Sequence, residues 1–195
     1  EIVEEFKEAA DFYRMEYSED LMGMFRDFGC MLLLKCKVDT EGKADLERLL
    51  EGRHKLKGTV KRQLMTVSEE LAQLWAPGEQ DGSGDTGEYE GSQNVREMFQ
   101  TALEEIFHFC LYSKGGKNRY LLPEETAKPL LRLLTFPEGM MAGNEGLVVL
   151  DTQCGAGSAL MAASRYLKNL RLMGYEKDEE MWAAAVIMSQ LSGLE

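Results

Sequence analysis

The stretch that decides the fold is Leu147-Val148-Val149-Leu150-Asp151-Thr152-Gln153-Cys154-Gly155-Ala156-Gly157. A short apolar run ends in an acid and turns through two glycines. The small-residue helix Ser158, Ala159, Leu160, Met161, Ala162, Ala163 follows. This predicts a strand, a tight glycine loop and a helix N-terminus. In open α/β sheets ligands bind outside the carboxyl ends of such strands. A Cβ at Gly155 or Gly157 would obstruct a ligand's approach to the backbone or a left-handed conformation.

Twenty-five residues after Asp151 stands Glu176, closing a second strand-like run, Leu170-Arg171-Leu172-Met173-Gly174-Tyr175-Glu176. An acid at the tip of a second strand is placed to accept hydrogen bonds from ribose hydroxyls. The next helix has an N-cap in Asp178, early acids in Glu179 and Glu180, and a stripe of Met181, Ala184, Ala185, Met188 and Leu191. Residues 147 to 192 therefore read as strand, helix, strand, helix. Two cofactor classes suit that unit. A dinucleotide wants G-x-G-x-x-G, but Leu160 holds the third glycine position and Asp151 would stand near the pyrophosphate. S-adenosylmethionine instead brings an ammonium for Asp151 and a ribose for Glu176.

Asp151-Thr152-Gln153-Cys154-Gly155-Ala156-Gly157 resembles the Asp-Pro-x-Cys-Gly-x-Gly cofactor loop of the N6-adenine DNA methyltransferases. The resemblance is closest to the modification subunits of type I restriction-modification systems. Gly174-Tyr175-Glu176-Lys177-Asp178, then Trp182-Ala183-Ala184-Ala185 and Gly193, resemble that family's ribose-binding segment and following helix. Asn118-Arg119-Tyr120-Leu121-Leu122-Pro123 stands where the family has a Tyr-Thr-Pro segment, and Glu124 to Leu134 matches the helix before the first strand. The resemblance covers about residues 94 to 193.

It implies S-adenosylmethionine as cofactor, cradled by the backbone of Gly155, Ala156 and Gly157, with Thr152 and Cys154 in the same loop. Asp151 would neighbour the amino group, Glu176 would hold the ribose, and Tyr175 or Lys177 would lie beside the adenine. Tyr120, Leu122 and Pro123 would close the site from above. Thr152 replaces the family's proline, and Leu122 replaces its threonine, removing a hydroxyl expected to bond the cofactor carboxylate. Losing one hydrogen bond to a charged group costs about 1.5–3 kcal/mol, so weak cofactor affinity is expected.

The family's catalytic Asn-Pro-Pro-Tyr-type segment occurs nowhere in the sequence, so no catalytic residue is assigned. Enzymes that modify bases extrude the nucleotide into a gripping pocket, and no residues here supply one. The chain reads as a fragment carrying the cofactor-binding motifs, with Leu194-Glu195 as the scar of a tag junction. By itself it is expected to be inactive. DNA would be contacted through regions absent from this chain, and specificity or restriction subunits are the implied partners. Two other readings stay open: a helical interaction or scaffold subunit, and a methyltransferase acting on RNA or a protein side-chain amide.

Composition narrows the classes further. A net charge of -12 opposes phosphate binding by this chain alone, which needs clustered Lys and Arg. The most basic stretch, Arg53-His54-Lys55-Leu56-Lys57 with Lys61 and Arg62, reads as a solvated helix face. No apolar run reaches membrane-span length, and Cys30, Cys36, Cys110 and Cys154 lack metal-ligand spacing. The location expected is the cytoplasm, with reduced thiols. The two histidines, His54 and His108, assemble no metal site. Cys154 is read as a packing or loop-shaping residue, since no base to activate it is identifiable.

The first half is helical. Phe6, Ala9, Tyr13 and Tyr17, and then Leu21, Phe25, Phe28 and Leu32, recur at helical spacing, as do Leu56, Val60, Leu64, Val67, Leu71 and Trp75. Met15, Met22, Met24 and Met31 are expected in the core, and Asp39 or Thr40 is expected to cap the helix after the turn at 38–43. Residues 77–93 hold five acids, five glycines and no base, which predicts a flexible acidic linker. A strong helix then carries Val95, Met98, Phe99, Ala102, Leu103, Ile106, Phe107 and Cys110 to the turn Lys114-Gly115-Gly116-Lys117. The expected order is a helical bundle over 1–76, the linker over 77–93, and over 94–195 a truncated, Rossmann-like α/β methyltransferase domain. Two parallel strands leave open sheet edges, which predicts coverage by the helical half or pairing in a homodimer.

Overall fold

The computed structural model describes residues 1–17, 20–52, 56–75, 89–113, 121–122, 124–133, 147–166 and 170–193. They fall into two compact units, Glu1–Lys117 and Asn118–Glu195. The first contains helices α1 (Ile2–Glu16), α2 (Met22–Lys35), α3 (Ala44–Glu51), α4 (Gly58–Gln73) and α5 (Tyr89–Leu111). In the second, α6 (Glu124–Leu133), β1 (Leu147–Asp151), α7 (Ser158–Tyr166), β2 (Leu170–Gly174) and α8 (Glu179–Leu191) follow in order.

The apolar stripes of the helical unit become its core. Phe6, Ala9 and Tyr13 of α1 are buried, as are Val60, Leu64, Val67 and Leu71 of α4, and these two helices pack together. Helix α2 packs on both α4 and α5. Every residue from Leu21 to Cys30 is buried, which is the pattern of a helix enclosed on all sides. Even Arg26 and Asp27 are enclosed, their Nε and Oδ1 atoms 3.8 Å apart. Phe6 meets Phe28 edge-on at 5.0 Å and Phe25 tilts against Phe107 at 5.1 Å. Each such buried ring contributes about 1.5–3 kcal/mol.

Several local expectations give way. Met15 is 83% exposed, while Met22 and Met24 are buried. Tyr17 ends the α1 stripe outside the helix, stacked on Tyr13 with its hydroxyl accepting the Lys57 N–H at 3.0 Å. Neither Asp39 nor Thr40 caps α3. Asp39 accepts the Glu41 N–H at 3.0 Å and Thr40 O accepts the Lys43 N–H at 3.0 Å, so Lys43 takes the N-cap position without a side-chain bond. Both residues are consumed by the turn itself.

The organisation also differs from the sequence reading at 77–93. Residues 89–93 belong to α5, and α5 packs on α1 and α2, so the helical unit runs to Lys117. Phe99, Leu103, Ile106, Phe107 and Cys110 form its buried face, while Met98 and His108 are exposed. Residues 77–88, Arg53-His54-Lys55 and Lys114-Gly115-Gly116-Lys117 lie outside the described residues.

In the second unit the strand, helix, strand, helix order is present. β1 and β2 run parallel, with Leu147 opposite Leu170 and Asp151 opposite Gly174. A parallel pair needs a crossover, and α7 supplies it, lying against both strands with α6 packed on it. Because side chains alternate, Val149 and Leu172 share one half-buried face. Val148, Leu150, Arg171 and Met173 share the other, which is open, Leu150 being 53% exposed. No helix among the described residues is long and apolar enough to cross a membrane.

Candidate functional site at the carboxyl ends of the strands

The backbone laces the first loop to the end of β2. Asp151 O accepts the Tyr175 N–H at 2.9 Å, and Tyr175 O accepts the Cys154 N–H at 3.0 Å. Asp151 Oδ1 accepts the Gln153 N–H at 3.0 Å, turning the chain immediately after β1. Cys154 O then accepts the Gly157 N–H at 2.8 Å, and Gly157 O receives the Met161 N–H at 2.9 Å as α7 begins. Gly155 and Gly157 have φ of +56° and +80°, the left-handed region in which a Cβ is strained. Their glycine identity is thus a backbone requirement.

Glu176 joins both halves. Its Oε2 accepts the Gly155 N–H at 2.9 Å, and its Oε1 accepts the Lys177 and Asp178 N–H groups, each at 2.8 Å. Asp178 caps α8, Oδ1 accepting from Glu180 and Met181 at 3.1 Å each, as its position predicts. Ala156 and Gly157 are buried, Asp151, Cys154, Gly155 and Glu176 half-buried, and Thr152, Lys177 and Tyr175 exposed. The result is a corner at the carboxyl edge of the sheet, built from a loop with little side chain and two acids.

Cys154 reports on the charge of this corner. Burial raises its thiol pKa first, and the carboxylates of Asp151 and Glu176 raise it further. The group is a neutral thiol at neutral pH, unsuited to nucleophilic attack. Among the described residues no group of three or more His, Cys, Asp or Glu side chains is gathered as a metal site.

The structure brings together Asp151, Thr152, Cys154, Gly155, Ala156, Gly157, Glu176 and Lys177. Leu122 is half-buried just ahead of α6, and among the described residues no hydrogen bond joins it to the loop. Tyr120 and Pro123 lie outside the described residues. Sequence reasoning placed Ala185 only in the buried stripe of α8, whereas its Cβ lies 3.5 Å from where a Cβ on Gly157 would sit, and it gave Gly174 no role of its own. A glycine closing a strand marks a close backbone approach, and that signal was available at position 174.

No protein-family model matches the chain, and no curated protein or solved structure gives a significant match.

Proposed function

We propose that residues 147–191 form the cofactor-binding half of an S-adenosylmethionine-dependent methyltransferase, of the class that modifies the N6 amine of adenine in DNA. The observation carrying this reading is the Glu176 carboxylate turned onto the glycine loop, with Oε2 at 2.9 Å from the Gly155 nitrogen. The acid at the second strand tip and the bend after the first strand thereby share one corner. The family likeness of the two loop motifs supplies the chemical class.

The donor set suits this group better than a dinucleotide. A pyrophosphate at the glycine loop would meet the carboxylate of Asp151, whereas a cationic amino-acid head group is favoured by it. Glu176 Oε1 already accepts two N–H groups, but Oε2 accepts one and keeps acceptor capacity for a ribose hydroxyl. Gly155 and Gly157 present backbone without side chains. Exposed Tyr175 offers a ring, and Lys177 an ammonium, beside a nucleobase. When bound, the cofactor supplies a methyl group on a sulfonium centre. The residues of this chain bind and orient it; gripping of a DNA base falls to other residues, and the acidic balance of this chain fits that division.

The test is calorimetric titration with S-adenosylmethionine and with its demethylated product, on the native sequence and on Glu176→Ala. Binding to the native sequence that weakens by roughly tenfold or more, about 1.4 kcal/mol, in the variant supports the assignment. Equal heats from both proteins, or none from the native sequence at millimolar ligand, overturn it.

A further inference from the structure

Gly174 is the last residue of β2 and pairs with Asp151 across the two strands. Its φ lies outside the left-handed region, so its backbone accepts any L-residue. Space is what excludes a side chain. A Cβ there would sit 2.7 Å from Cys154 Sγ, 2.9 Å from Leu160 Cδ1 and 3.1 Å from Cys154 Cβ. Leu160 Cδ1 ends a flexible side chain and can swing away. Cys154 has less freedom: its Sγ can leave only by turning about χ1, away from the Gly155 O that it bonds at 3.7 Å, and its Cβ is held because the residue's N–H is bonded to Tyr175 O and its O to the Gly157 N–H. A displacement that moves the Cys154 Cβ carries the whole bend with it, including the Gly155 N–H that reaches Glu176.

We infer that Gly174 is a positioning residue: its missing side chain seats Cys154 on β2 and thereby sets the distance between the glycine loop and Glu176. The inference rests on the proposed cofactor site for its functional consequence, and on contacts alone for its structural one. Two backbone hydrogen bonds, one bond from backbone to side chain and one side-chain contact act together here. Tyr175 holds Asp151 and Cys154, Glu176 holds Gly155, and the Cys154 thiol lies against the strand where Gly174 leaves room. Adding one methyl group wedges this assembly apart.

Hydrogen exchange of the Gly155 amide, followed by NMR, reads the loop without any ligand. Gly174→Ala is expected to remove protection of that amide, while the amides of α1 to α5 exchange as before. Adding Cys154→Ala to that variant removes the 2.7 Å encounter and leaves the tight 3.1 Å one beside the yielding Leu160 end at 2.9 Å, so protection should rise again. Cys154→Leu wedges from the loop side with β2 unchanged and should deprotect Gly155 like Gly174→Ala, which keeps the test valid if the latter misfolds. Titration with the demethylated cofactor should follow the same order, falling by roughly tenfold or more in the wedged variants and recovering in the double variant. Undiminished protection in Gly174→Ala or Cys154→Leu, or a double variant no better than the single one, overturns the inference. A native chain that binds no cofactor yet shows this exchange pattern sinks the proposed function and leaves the positioning role standing.

Discussion

The carboxylate of Glu176 accepts the N–H of Gly155 at 2.9 Å, across a gap of 21 residues in sequence. Its other oxygen binds the two N–H groups that begin the approach to α8. One side chain thus satisfies donors from two segments that no strand ladder or helix could serve. A half-buried acid with this many backbone bonds is first of all a structural clamp. Its proposed role toward a ribose uses the acceptor capacity that remains.

Glu176→Ala should therefore destabilise the second unit as well as weaken ligand binding. Loss of hydrogen bonds to a charged acceptor predicts about 1–3 kcal/mol in denaturant unfolding. Glu176→Gln keeps a carbonyl acceptor but replaces the other oxygen with a donor, so it should fall between the two. If Glu176→Ala unfolds at the native denaturant midpoint, the clamp is not holding the loop.

Gly155 and Gly157 make a separate prediction. Alanine at either position forces a Cβ into the left-handed region, at about 1–2 kcal/mol each. A Cβ at Gly157 would meet Ala185 Cβ at 3.5 Å, an ordinary contact, so the cost there is conformational. Asparagine tolerates that region better than alanine, so Gly157→Asn should lose less than Gly157→Ala in thermal melts. The reverse ranking would mean that crowding, not backbone angle, governs the position.

How far this architecture could be read from the sequence depended on what each signal was made of. The strand-to-helix stretch from Leu147 to Leu191 was legible because its punctuation is local: an acid, two glycines and a capping Asp178. The α4 stripe was legible because steps of three and four residues have only one folded interpretation. Met15 escaped because hydrophobicity alone does not say which flank of α1 faces α4, and it is 83% exposed. The reach of the helical unit to Lys117 depends on tertiary packing of α5 against α1 and α2, which no local pattern encodes. The Glu176 clamp was half legible. Its position at a strand tip pointed to the site, but its three backbone partners are fixed only by the fold.

Asp178 offers a clean test of local against tertiary stabilisation. Its Oδ1 takes two N–H groups at 3.1 Å, which would otherwise be orphans of the first turn of α8. Asp178→Ala should cost about 0.5–2 kcal/mol, and Asp178→Ser should recover most of it. The unfolding of the second unit, followed by the single Trp182 fluorescence change in a Trp75→Phe background, reports this directly. Equal losses for Ala and Ser would show that the carboxylate acts through its charge and not as a cap.

The buried thiols give the chain an alkaline weakness. Burial pushes Cys36 up to about 12, and Cys110, fully enclosed, is pushed well above the ordinary thiol range despite a lowering contribution from Arg14. In the unfolded chain both ionise near the ordinary value of about 8.5. Between that value and the folded one, the unfolded chain binds fewer protons than the native protein, so stability falls as pH rises. The slope approaches about 1.4 kcal/mol per pH unit for each thiol while its proton is displaced, and vanishes below about pH 8. Lysines and tyrosines titrate in the same range, so the measurement is a difference: urea unfolding of the native sequence and of Cys36→Ala from pH 7 to 11. The variant should be insensitive to one of these two ionisations, and its stability curve should converge on or cross the native one as pH rises. Parallel curves throughout would mean that the Cys36 thiol ionises as readily inside the helical unit as in water.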